Sequence, residues 1–182
     1  MSWKNTSNHY GTLSMAFHWL MFLLLIAVFA SIELRSLYPK GSDPREAIKA
    51  LHFMLGLLVL LLVVIRLAFR FLQSTPDIVP PMSSKQNIIA NVMHGALYLL
   101  MIVLPILGWF VLSAAGKDII FFGLQLPPLI AVDKDLADQL EDIHKSIGEL
   151  GYYLIGLHAV AALFHHYIQK DNTLTRMLPW RK

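Results

Sequence analysis

Two histidines, His144 and His158, stand fourteen residues apart within EDIHKSIGELGYYLIGLHAVAALFHHY, the stretch from Glu141 to Tyr167. On an α-helix that spacing returns the second imidazole to within about 40° of the first and about 21 Å along the axis. The hydrocarbon core of a bilayer is roughly 30 Å thick. Two nitrogen ligands on one face, at two depths of such a core, suit two stacked cofactors.

Imidazole is the ligand to look for because the chain has eight histidines and no cysteine. Iron–sulfur clusters, disulfides and covalent haem attachment through C-x-x-C-H are thereby excluded. Apolar residues make up 56% of the 182 positions and charged ones only 15%, well below the roughly 25% usual in soluble domains. This is a membrane composition, and four apolar spans with short connections use nearly the whole length. A single domain, 1–182, is expected, with no room for a separate catalytic domain and no nucleic-acid partner.

The spans that position the histidines are read at about 12–33, 46–71, 86–114 and 138–169. The first is too long for a signal-peptide core and lacks a clean A-x-A site after it, so it is taken as retained. It carries His18. The second has an uncharged core of only Ala50 to Ile65, which places Arg66 and Arg70 on its last turns and His52 at its entry. STPDIVPP, residues 74–81, is a loop, because its prolines remove donors and fix φ. The third span carries His94 near its start and Pro105 in its middle, where a kink is expected. The connection from Lys117 to Asp135 holds an apolar patch, FFGLQLPPLI, too short and proline-broken to cross.

Four spans put both termini on one side. With the termini inside, Lys4, Arg66, Arg70, Lys85, Lys170, Arg176, Arg181 and Lys182 lie inside, against seven basic residues outside. That bias is slight by the positive-inside rule. Spans 2 and 4 then run in the same direction, and each enters the membrane through a histidine, so His52 and His144 lie at similar depth. Each is followed by a glycine one turn on, His52-x-x-x-Gly56 and His144-x-x-x-Gly148. A flat macrocycle could approach the backbone there, although such glycines also serve in helix–helix packing. Fourteen residues beyond His52 stands Arg66, level with His158. It would pair with a haem propionate or snorkel to the interface. The partner of His158 comes from His18 or His94, between which spacing does not choose. Helix–helix hydrogen bonding is the competing role for all of these histidines. His165, His166 and Tyr167 lie two turns beyond His158 and suit either a quinone site with proton delivery or interfacial anchoring.

The closing stretch HHYIQKDNTLTRMLP, residues 165–179, with HWL at His18 and GYYLIGLHAVAALFHHY in the fourth span, resembles the bacterial cytochrome b561 family nearly end to end. The resemblance implies an all-α, four-transmembrane-helix bundle in the bacterial inner membrane, both termini cytoplasmic, enclosing two non-covalent b haems. Carried over by position, it implies His52 with His144 on the periplasmic haem and His18 with His158 on the cytoplasmic one. His94 falls outside that set and is left as a competing ligand, a propionate partner or a quinone-site residue.

Some members of the family oxidise superoxide and reduce ubiquinone. The expected function is therefore electron transfer from a periplasmic donor, superoxide first, through two bis-histidine haems to ubiquinone. Outer-sphere transfer needs no catalytic side chain at the donor. Arg35, Lys40, Arg45 and Lys49 are the leading candidates for attracting an anion, unless the ten outside acids neutralise them. The alternative is a membrane-anchor subunit that passes electrons between a partner dehydrogenase or hydrogenase and the quinone pool. A haem-free structural or transporter bundle is the third class.

Overall fold

A computed structural model describes residues 2–178; Pro179, Arg181 and Lys182, used above in the family motif and the charge count, lie outside the described residues. Four long helices follow one another: α1 (Thr12–Leu34), α2 (Asp43–Leu72), α3 (Ser84–Ala114) and α4 (Lys134–Phe164). All four are long and apolar enough to cross a membrane. Each starts where local chemistry allows. Ser42 precedes α2, with proline in the first turn and Asp43 and Glu46 at the positive end of the helix dipole. Ser83 and Gln86 form a reciprocal capping box at α3. The Asp133 carboxylate accepts from Leu136 N at 3.0 Å, so α4 begins four residues earlier than the apolar pattern suggests. Pro105 is accommodated inside an unbroken α3.

Neighbouring helices pack in chain order, α1 on α2, α2 on α3 and α3 on α4. Met21, Leu24, Val59 and Val63 form the buried centre, with Tyr98, Met101 and Ile102 against them. Outward faces remain apolar, as at Leu61, Val64, Val160 and Leu163, which in a bilayer is the favourable arrangement. Where α4 approaches α1, Gly151 supplies the close contact. A Cβ there would come within 3.1 Å of Phe29 and 3.2 Å of Leu100.

The expectation of an all-α chain holds for the spans but not for the connection after α3. Residues Ile119–Phe121 (β1) and Leu124–Leu126 (β2) pair as an antiparallel hairpin. Its β-branched and aromatic residues around Phe122-Gly123 outweigh the prolines, which fall after the second strand. At the opposite end the two termini are knitted to the α2–α3 loop. Asn5 N donates to Gln73 Oε1 at 2.9 Å, Asn172 N to Val79 O at 3.0 Å, Arg176 Nη1 to Pro76 O at 2.6 Å and Trp19 Nε1 to Met177 O at 2.8 Å.

Candidate haem-binding site

The bundle brings the histidines of different helices together in pairs at two levels. Toward the hairpin end, His52 of α2 faces His144 of α4 with ring centres 6.2 Å apart. Toward the termini, His18 of α1 faces His158 of α4 at 6.3 Å, and His94 of α3 approaches the same His158 at 5.5 Å. None of these rings is exposed. Among the described residues, no three of His, Cys, Asp and Glu gather at metal-ligating geometry. Paired nitrogens are what the structure offers.

A metal–imidazole nitrogen bond is about 2.0–2.1 Å and an imidazole centre lies about 1.1 Å from its nitrogen, so trans imidazoles on one iron hold ring centres about 6.2–6.4 Å apart. Both the His52–His144 and the His18–His158 separations fall there. The His94–His158 separation, at 5.5 Å, is shorter.

Residues 9–180 match the prokaryotic cytochrome b561 family. The chain belongs to that family. It is 38% identical over 96% of its length to cytochrome b561 homolog 1 of Escherichia coli (strain K12), covering 99% of that protein. It is 42% identical over 95% of its length to the protein named "Probable superoxide oxidase CybB" of Yersinia pestis, covering 97% of it. Cytochrome b561 homolog 2 of Escherichia coli is 34% identical over 98% of this chain and 95% of its own. Family membership makes this a multi-pass bacterial membrane cytochrome that binds b-type haem and transfers electrons.

Within this cytochrome b561 the far-end pair leaves a ring nitrogen free. His52 Nδ1 lies 3.1 Å from the Val28 carbonyl, which can only accept, so the proton sits on Nδ1 and the Nε2 lone pair is free. Ser31 stands beside it, its hydroxyl 2.6 Å from the same carbonyl and 3.3 Å from Nδ1. His144 Nδ1 is buried without a hydrogen-bond partner, and the backbone at Leu104 is the acceptor beside it. Gly56 and Gly148 are half-buried, yet a Cβ on either would meet nothing within 4 Å. Each leaves room beside its backbone one turn from a histidine, whereas Gly151 carries the helix packing. With the paired imidazoles, the residues present fit a haem.

The termini-side pair is set differently. Arg66 Nη2 lies 3.1 Å from His18 Nδ1 and Arg66 Nε 3.3 Å from the Tyr98 hydroxyl. A guanidinium cannot accept, so His18 Nδ1 does. Arg66 thus reaches the histidine of α1, where helix spacing alone had placed it level with the one on α4. Tyr98, Ser31 and the Val28 and Leu104 carbonyls were not singled out from sequence, because nothing in their local pattern marks them.

The trio beyond His158 is divided. α4 ends in a wide turn, His165–Gln169. His165 Nδ1 is 2.5 Å from Asp171 Oδ2, and Asp171, 7% exposed, also accepts from Thr173 N at 2.8 Å. Burial opposes ionisation of this carboxyl, but the His165 and Thr173 hydrogen bonds outweigh it and hold its pKa below the usual range. His166 meets Tyr167 edge to face with ring centres 4.7 Å apart, and the Tyr167 ring is mostly exposed. His165 therefore belongs to a clasp, while Tyr167 faces outward with the half-buried His166 beside it.

At the far end, the basic residues are partly committed. Lys49 pairs with Glu46 at 2.6 Å and Lys145 with Glu141 at 2.8 Å. Arg45 donates to the carbonyls of Tyr38 at 2.8 Å and Arg35 at 3.1 Å. Of the four leading candidates for anion attraction, Lys49 is in an ion pair and Arg45 is engaged with carbonyls, whereas Arg35 and Lys40 stay outside any ion pair among the described residues, as do Lys117 and Lys134.

Proposed function

We propose that this cytochrome b561 carries two b haems, held by His52 with His144 and by His18 with His158, and moves electrons from superoxide on the periplasmic side to ubiquinone, with both termini cytoplasmic in the inner membrane. The observation that carries the reading is the presence of two histidine pairs, at two depths, each with ring centres near 6 Å apart, a separation at which both imidazoles could share one metal ion. Similarity to the protein named "Probable superoxide oxidase CybB" supports the choice of donor. When bound, the haems supply one-electron relay between a one-electron donor and a two-electron acceptor.

The chain's own residues hold and tune that relay. Val28 keeps the His52 proton on Nδ1. If His18 held iron through Nε2, its Nδ1 would carry the proton, and Arg66, with Tyr98 beside it, would have a donor to offer a carboxylate close to His18. His94 lies at the edge of His158 as a neighbour and not as a ligand. Arg35, Lys40, Lys117 and Lys134 supply uncommitted positive charge where an anionic donor approaches. His166 and Tyr167, at the termini-side interface, are placed to meet a quinone and to pass it protons, with His165 held by Asp171 behind them.

The test is purification in detergent without a partner, haem quantitation and stopped-flow mixing with superoxide. Two haems per chain, both reduced rapidly and reoxidised by ubiquinone analogues, are expected. A haem protein inert to superoxide that copurifies with a peripheral redox subunit would overturn the donor assignment in favour of a membrane anchor for a dehydrogenase or hydrogenase. A colourless protein would overturn the haem assignment itself.

A further inference from the structure

The segment from Ile119 to Val132 contains no charged residue and lies outside the histidine site. Its hairpin has two unlike faces. Ile119 is seated on Leu57 of α2 and Leu112 of α3, with Phe53, Trp109, Phe121 and Leu126 around it. Pro127 O accepts from Trp109 Nε1 at 3.1 Å. Leu57 is seven residues past Ala50, where the uncharged run of α2 begins, which is about 10 Å along the helix. The hairpin therefore reaches down beside α2 to the depth of the apolar part of the span.

What it presents away from the bundle is apolar too. Ile120, Phe122 and Leu124 are at least half exposed. The polar neighbours are satisfied locally, with Gln125 Nε2 donating to Asp118 Oδ1 at 2.9 Å. The turn itself is built against its backbone preference. Phe122 and Gly123 have φ of 48° and 87°. A two-residue turn with both φ positive favours Asn or Asp before Gly, and a bulky residue at positive φ is uncommon. Phe122 takes that position with its ring 63% exposed, resting on Phe121 at 5.0 Å between ring centres. In water, asparagine would suit the turn and spare the exposed ring. At a bilayer boundary an aromatic tip is favourable.

We propose that the β1–β2 hairpin is a lipid anchor, its tip of Phe122, Ile120 and Leu124 inserted into the leaflet at the end of the bundle opposite the termini, continuous with the lipid-facing surfaces of α2 and α3. It holds the α3 end, where a Cβ on Gly108 would come within 3.4 Å of the His144 ring, at a fixed depth. The proposal rests on the membrane placement of the spans and is independent of donor and acceptor.

The absence of cysteine makes the test direct. Single variants Phe122→Cys and Leu124→Cys, with haem content checked, are labelled with a nitroxide in vesicles of phosphatidylcholine and phosphatidylglycerol. Collision rates with oxygen, which concentrates in lipid, and with a water-soluble nickel chelate are compared with those at Lys40→Cys in the exposed loop and Leu61→Cys on a lipid-facing helix. Labels at 122 and 124 are expected to collide more often with oxygen than with nickel, as at 61. Nickel access equal to that at 40 overturns the proposal by placing the tip in water. Low access to both reagents overturns it by placing the tip under protein, such as a second copy.

Discussion

The two histidine pairs share a ring separation but not a hydrogen-bonding environment. His52 faces a carbonyl through Nδ1, and His18 faces a guanidinium through the same atom. A carbonyl fixes the proton on Nδ1 and raises the basicity of the opposite nitrogen, whereas a cation near the site opposes further positive charge. If both pairs hold haem as proposed, the far-end surroundings would favour oxidised iron and the termini-side surroundings reduced iron, so that electrons would run from the hairpin end toward the termini. The difference would lie in the contacts beside the histidines and not in the histidines themselves.

The strongest way to break this comparison is to remove ligands one at a time. His52→Ala and His144→Ala should each lose the same single haem, and His18→Ala and His158→Ala the other, by haem quantitation and reduced-minus-oxidised spectra. His94→Ala should retain both. If His94→Ala loses the termini-side haem while His18→Ala keeps it, the 5.5 Å contact and not the 6.3 Å one is the ligand pair.

A smaller effect tests how the termini end is held. Asp171→Asn should lower stability by about 2 kcal/mol, because it weakens a hydrogen bond from His165 to a buried carboxylate. Asp171 has its folded pKa below the unfolded value of about 3.9. Its contribution is present above that value and is lost as pH falls through the lowered folded pKa. Denaturation of parent and variant should therefore differ most near neutrality and converge in acid. A gap unchanged down to pH 2 would show that the carboxylate charge is not what holds the clasp.

The subtlest test is electrostatic. Arg66→Gln should lower the midpoint potential of the termini-side haem by roughly 60 mV, the equivalent of about 1.4 kcal/mol for one electron, and leave the other nearly unmoved. Redox titration followed at the two haem bands reads both at once. Equal shifts at both sites would mean that Arg66 acts as a distant charge and not as a neighbour of His18.

Much of this was legible because helix periodicity is a local property. The interval between His144 and His158, the matched entries of His52 and His144, and the glycines one turn beyond them can be counted along the chain. The hairpin escaped because its strands are three residues each, too short for alternation to show. The early start of α4 escaped because a single capping carboxylate, Asp133, set it. The His165–Asp171 clasp depends on a left-handed residue, Lys170, that lets the chain fold back on the helix end. Nothing in the composition of that stretch announces it.

By itself, the sequence determined four apolar helices long enough to cross a membrane, left imidazole as the leading nitrogen donor, and put two histidines on one face of α4. Which third and fourth histidines meet them was decided by tertiary packing. So was the contrast between Val28 at His52 and Arg66 at His18. A 100° turn per residue fixes what shares a face of one helix, but the distance between faces depends on how side chains such as Met21, Val59 and Val63 fill the space between helices, and that is settled only when all four are packed together.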